Sequence, residues 1–364
     1  MLKAYSADKI FTGHSWRNKS AVITENDMVT NVVPLNNLSG DISVIQHAPI
    51  LAPAFIDIQI YGAASRLFSA YPTAETLHKM KEHCDKGGTK YFLPTIATNT
   101  IDVLINGIDA IKEYWKSGGA GVPGLHVEGP WINKEKRGAH LAGFIHAPQK
   151  DEVIELLEYG KAVIKMITLA PEICSDEIID LIKSYGIIIS AGHSNATFSE
   201  AREAFKNIHV ATHLFNAMSG LHHRQPGLPA AIMLDPSVMA SMVADGYHVD
   251  FAMISLAKKI MAERLFLITD AVTETTTGPY QHYLAGDKYE SAGILSGSAL
   301  TLQKSLTNLI NHAGVELEEA LRMCSLYPAK AIGIQGKSGI LASGYSADMV
   351  VLNDKLQVVT ALYH

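Results

Sequence analysis

No stretch of this chain approaches the roughly 18 uninterrupted apolar residues that a membrane-crossing helix needs, so none is expected. The opening segment MLKAYSADKIFTGHSW has no long apolar run ahead of a small-residue cleavage site, so no secretory leader is expected. Basic residues are in the minority, 30 Lys and Arg against 36 Asp and Glu, giving a formal net charge of −6. That balance removes the general electrostatic reason for binding nucleic acid or a membrane surface, leaving room for a local basic pocket that takes a small anion. Cysteine is scarce: Cys84, Cys174 and Cys324 lie far apart without a CxxC pair, which excludes a disulfide framework and reads as a reduced, cytoplasmic protein. The phosphate-cradling patterns GxGxxG and GxxxxGKS/T are absent too, and no internal repeat or low-complexity tract stands out.

What the chain does have is length and apolar content. Its 364 residues, 48% of them hydrophobic, suit one large domain or one large and one small. Both ends read as short strands with polar turns, such as AVITENDMVTNVV around Glu25-Asn26-Asp27, and the C-terminal stretches Ala347–Leu352 and Gln357–Leu362. Residues 1–50 and 338–364 are therefore expected to form one small β-sandwich domain, and 51–337 a different one. In that middle, apolar runs at Ala54–Ile60, Lys90–Ile96, Gly124–Glu128, Lys165–Ala170, Ile187–His193, Val210–Phe215, Ala240–Ala244 and Leu265–Asp270 alternate with amphipathic segments such as Ala74–Cys84, Ile101–Trp115, Asp176–Tyr185 and Ser199–Lys206. Near-continuous apolar strands separated by helices make a parallel sheet buried on both faces. Eight of them predict a closed (β/α)8 barrel.

In such a barrel chemistry gathers where the strands end. Those ends read His126-Val127-Glu128, Gly192-His193-Ser194, Thr212-His213-Leu214, Asp245 through His248, and Thr269-Asp270. A single histidine or aspartate there is unremarkable. Convergence of one carboxylate and two imidazoles on one barrel mouth, with a further aspartate, has the composition of a catalytic metal site with an open position for water. His126 shares a face with Glu128 and is a further ligand candidate by position.

The stretches PAFIDIQIYG, GLHVEGPWINKEKRGAH, ITLAPE, SAGHSNATF, THLFNAMSGLHHRQPG, ADGYHVD, LITDAV, LSGSALTL and GILASGYSADMVVL resemble the amidohydrolase superfamily, and within it the N-acetylglucosamine-6-phosphate deacetylase family, across nearly the whole chain. The resemblance implies a (β/α)8 barrel with a small β-sandwich from both termini, and hydrolysis of the N-acetyl group to acetate and glucosamine-6-phosphate. Carried over by position, it assigns Glu128, His193 and His213 to one divalent metal per subunit (zinc first, with iron, manganese or cobalt also suited) and Asp270 to acid–base work. It implies that His140 contacts the substrate near the reacting amide, and that Asn216 and Ala217 meet the sugar phosphate through their backbone, helped by Arg224. It further implies a homodimer in which His248 completes the phosphate site from the neighbouring subunit, with Ala139 and Leu295-Ser296-Gly297 lining the sugar pocket.

One departure stands out. Many superfamily members end their first barrel strand with His-x-His, whereas this chain has Gln59-Ile60-Tyr61, so a second metal is not expected. The single-metal branch implies an amide at the second of these positions, and Tyr61 is bulkier. Asp57 reads as structural, His222 and His223 as solvated loop residues, and the Lys134, Lys136 and Arg137 run as a charged loop face. Rival readings are another amidohydrolase acting on an unphosphorylated amide, a barrel that binds without catalysis, and a phosphosugar isomerase, which would not need this ligand set.

Overall fold

The computed structural model describes residues 1–363. Its centre is a ring of eight parallel strands: Phe55–Ile60, Thr89–Ala97, Leu125–Glu128, Ile164–Leu169, Ile188–Ala191, Val210–Ala211, Met239–Met242 and Leu265–Leu267. Each pairs in parallel with the next in sequence. Every residue of the first strand is buried, as a strand covered on both faces requires. The ring closes at its rim, where Tyr61 N donates to the Ala271 carbonyl at 2.9 Å and Asp270 N to the Gln59 carbonyl at 3.0 Å. First and last strands are thus joined through residues that also face the candidate site.

The four anticipated helices run Ala74–Lys86, Ile101–Lys116, Asp176–Ser184 and Phe198–Ala204. Asp176 and Ser199 fall in the first turns of their helices, capped just upstream: the Ser175 hydroxyl accepts from Ile178 N, and Thr197 forms a capping box with Glu200. Further helices, among them Phe251–Met261 and Leu302–His312, pack onto the strands in one continuous apolar core. Among the described residues no helix is long and apolar enough to cross a membrane.

The chain ends meet in one six-stranded sheet, in the order Val358–Leu362, Met349–Leu352, Val44–Pro53, Lys3–Phe11, Trp16–Glu25, Met28–Pro34. Only the Lys3–Phe11/Val44–Pro53 pair is parallel. Asn26 and Asp27, at φ 48° and 64°, make the turn expected there, since a two-residue hairpin needs left-handed backbone at both positions. Tyr5, Val22, Leu51 and Val351 form a core of the sheet's own, while Phe11, Ile50, Val350 and Leu352 join the barrel core. A buried ion pair between Lys90 and Asp348, at 3.2 Å, ties the second barrel strand to this sheet.

A small antiparallel sheet, Tyr283–Ala285, Lys288–Ser291 and Ile294–Ser298, follows the eighth barrel strand. It was not anticipated, and it brings Leu295-Ser296-Gly297 to the barrel mouth.

Candidate active site

Glu128 is the last residue of the third barrel strand, while His193 and His213 stand two residues beyond the fifth and sixth. His193, His213 and Asp270 have φ of 48°, 35° and 55°. Non-glycine residues take this left-handed conformation at a cost, and here it turns each chain end sharply as the strand stops. One ligand atom from each of Glu128, His193 and His213 can be chosen so that all lie within 4.8 Å of one another. Glu128 Oε1 is 3.1 Å from His213 Nε2 and 3.3 Å from His193 Nε2, and the two Nε2 atoms are 3.0 Å apart.

Those donors fit a divalent cation. His193 Nδ1 donates to the Lys136 carbonyl at 2.9 Å, which leaves its Nε2 lone pair facing the cluster. Burial pushes the His193 imidazole down to about 4, so it stays neutral. Burial acts the same way on His213, but its hydrogen bond and charge contact with Glu128 outweigh it and raise its pKa. The pair thus shares at most one proton. Burial alone would raise the Glu128 carboxyl; its electrostatic contact with His193 and the hydrogen bonds from His140, His193 and His213 outweigh it and hold it well below the usual range.

The first strand and the residue after it supply two neutral side chains to this cluster. Gln59 Nε2 donates to Asp270 Oδ1 at 2.7 Å and to Glu128 Oε1 at 3.0 Å, placing an amide between two carboxylates. The Tyr61 hydroxyl donates to Glu128 Oε2. Asp270 is buried, and burial raises its carboxyl above the ordinary range against the pull of His213. His140 Nε2 lies 3.2 Å from Glu128 Oε2, and its Nδ1 pairs with the Thr98 hydroxyl at 2.8 Å.

His126 is brought close but not into the cluster. Its Nδ1 donates to the Ile58 carbonyl at 3.0 Å and its Nε2 accepts from the Thr168 hydroxyl at 2.8 Å, so both nitrogens are spent within the barrel. Asp57 lies below the site and accepts from Thr269 N at 3.2 Å and from the Thr269 hydroxyl, bracing the residue before Asp270.

Above the cluster opens a cavity of about 180 Å³ lined by Ala139, His140, Asn216, Ala217, His248, Leu295, Ser296 and Gly297 together with Glu128, His193, His213 and Asp270. His248, expected from a neighbouring subunit, faces the cavity of its own chain. It is held between Asp245 Oδ2 at 2.6 Å and the Ser296 carbonyl at 3.0 Å. Both neighbours are acceptors, so both ring nitrogens carry protons. Burial opposes that charge, but the Asp245 hydrogen bond and carboxylate outweigh it and raise the His248 pKa. Arg224 is the residue that does not join the others. It is exposed in the loop with His222 and His223, its Nε donating to His223 Nε2 at 3.0 Å, and it does not line the cavity.

Sequence reasoning passed over three residues. Thr98 immediately follows the second strand, and its place at a strand end was a usable signal. Tyr280 and His282 line the cavity from the segment leading into the small antiparallel sheet, where no periodicity announces them. The Lys134–Arg137 run, read as a charged face, also supports the site: the Lys136 carbonyl orients His193, and the Arg137 guanidinium donates to the His140 carbonyl at 2.9 Å.

A description of the amidohydrolase family matches residues 50–362. The chain belongs to that family. Curated relatives include the N-acetylglucosamine-6-phosphate deacetylase of Haemophilus influenzae, 31% identical over 96% of this chain and 95% of that one. The N-acetylgalactosamine-6-phosphate deacetylase of Escherichia coli O157:H7 is 28% identical over 98% and 97%. The crystal structure of the N-acetylglucosamine-6-phosphate deacetylase from Pasteurella multocida superposes with a TM-score of 0.94 at 30% identity, covering 100% of this amidohydrolase and 98% of that chain. Amidohydrolase membership carries metal dependence with it, and the buried Glu/His/His cluster is where a metal fits.

Proposed function

We propose that the protein hydrolyses the N-acetyl group of N-acetylglucosamine-6-phosphate, releasing acetate and glucosamine-6-phosphate. The observation that carries this reading is the convergence of Glu128, His193, His213 and Asp270 at the foot of one cavity, in a chain whose relatives bear that activity in their names. A divalent cation held by Glu128, His193 and His213, with zinc the first choice and iron, manganese or cobalt also compatible, supplies a Lewis acid that polarises a carbonyl and acidifies water. Asp270 takes a proton from the attacking water as the C–O bond forms, and returns it to the departing amine as the C–N bond then breaks. Its raised pKa suits a group that must both accept and donate. His140, held by Thr98, meets the acetamide oxygen as charge develops there.

The phosphate is met by the backbones of Asn216 and Ala217 and by the charge on His248. The protein acts as a dimer in this reading, and Arg224, standing outside its own cavity, is the group offered to the partner's site. Its planar fork suits a phosphate. Three free thiols accord with a reducing, cytoplasmic setting. A second reading, that the 4-epimeric galactosamine phosphate is the substrate, is favoured by the E. coli relative.

The test measures acetate released from both phosphosugars and from unphosphorylated N-acetylglucosamine, with and without chelator. Chelator-sensitive release from N-acetylglucosamine-6-phosphate above the other two supports the reading. Preference for the galactosamine epimer moves the substrate, and no release with metal restored removes the assignment.

A further inference from the structure

We infer that Tyr61 is a positioning residue for the metal: its hydroxyl holds Oε2 of Glu128, so that the carboxylate offers one oxygen, Oε1, to a cation shared with His193 and His213. This rests on reading the cluster as a metal site and adds a role that the ligand set does not contain.

The two oxygens of Glu128 have separate company. Oε1 faces His213 Nε2 at 3.1 Å, His193 Nε2 at 3.3 Å and Gln59 Nε2 at 3.0 Å. Oε2 accepts the Tyr61 hydroxyl and lies 3.2 Å from His140 Nε2. A carboxylate beside a cation binds through one oxygen or chelates through both. With Tyr61 and His140 both placed on Oε2, chelation would set the cation in competition with a charge-assisted hydrogen bond in a buried site, where such bonds are strong.

Tyr61 is built to stay in place. Tyr61 is 9% exposed and packs among Leu67, Val272 and Tyr280. Its N donates to the Ala271 carbonyl at 2.9 Å, and its own carbonyl accepts from Phe68 N at 2.8 Å, so the backbone is pinned on both sides. Gln59 Nε2, 2.9 Å from the phenol oxygen, fixes the hydroxyl from a further direction. One oxygen and two imidazole nitrogens leave coordination positions open for water and a carbonyl, whereas a chelating carboxylate would occupy one of them. Tyr61 therefore acts on the reaction through Glu128, by setting how many positions remain.

The test uses the full chain loaded with Co²⁺, whose visible d–d bands weaken as coordination number rises. Tyr61→Phe keeps the ring and removes only the hydroxyl; Tyr61→Leu gives an independent variant should the first fold poorly. Affinity is read by competition with a chromogenic chelator, the coordination by the spectrum, and folding by thermal unfolding. The expected result is a folded Tyr61→Phe protein with weaker d–d bands and Co²⁺ affinity reduced about 10- to 100-fold, the usual effect of losing a group that orients a ligand. An unchanged spectrum, with or without a fall in affinity, overturns the inference. Failure of the unaltered protein to bind Co²⁺ overturns it together with the metal reading. The outcome is separate from the substrate assignment, because a spectrum that responds to Tyr61 in a protein releasing no acetate leaves this role standing.

Discussion

His193 Nε2 and His213 Nε2 approach to 3.0 Å with Glu128 Oε1 beside both. Two buried imidazoles can face each other at that distance only if one proton or one cation lies between them. A cation that binds the folded chain and not the unfolded one adds stability, by about 2.7 kcal/mol at a free concentration 100 times its Kd. Stripping metal should therefore lower the unfolding temperature and abolish turnover, and adding zinc should restore both. His213→Asn should lose this response. Equal melting temperatures with and without metal would count against the cluster as a metal site.

Asp270 accepts its hydrogen bond from Gln59 through Oδ1, an atom that asparagine also has. Asp270→Asn should keep the local geometry and the metal while removing the proton acceptor. Turnover should fall about 10²- to 10⁴-fold, the contribution of a positioned acid–base group. Metal content measured on the same preparation separates this from ligand loss. A variant with full metal and near-normal turnover would exclude Asp270 as the base.

The barrel was legible because its strands are apolar on both faces, so each reads as a block, and because Glu128, His193, His213 and Asp270 all stand at or just beyond strand ends. What stayed hidden acts through backbone or through long-range pairing. Nothing in the sequence of Lys136 says that its carbonyl will fix the tautomer of His193, 57 residues away. His248 was expected from a neighbouring subunit because the family resemblance implied it, and a strand-end histidine carries no mark in the sequence of which cavity it enters. Asp245, three residues earlier, is what retains it in its own chain. The sheet at 283–298 is short and partly exposed, so its strands lack the alternation that reveals a buried one.

His248 sits in the cavity between two acceptors, Asp245 Oδ2 and the Ser296 carbonyl, an arrangement that favours its charged form. Its pKa is raised above the ordinary 6.5, so the charge is present at and below that value and is lost as pH rises through the raised one. The second ionisation of a sugar phosphate, near pKa 6, is already complete above about pH 7 and adds nothing further there. KM for the phosphosugar should thus rise on the alkaline side while KM for the unphosphorylated sugar stays level. The same loss of charge should weaken the folded state over that window. His248→Gln should flatten the difference between the two substrates. Parallel profiles for both substrates would show that His248 does not serve the phosphate.

Arg224 is exposed and clear of the cavity that holds every other proposed substrate contact. If it serves a phosphate, that phosphate lies in another subunit. Arg224→Ala should then raise KM for the phosphosugar several-fold with kcat and metal content little changed. Complementation makes the geometry explicit. Mixed dimers of Arg224→Ala and Asp270→Asn chains contain one site with an intact Asp270 and a partner's intact Arg224. Such dimers, assembled by co-expression, should show a low-KM component that neither homodimer has. If Arg224 instead folds back over its own cavity, every site in the mixture lacks one of the two groups, and the low-KM component will be missing.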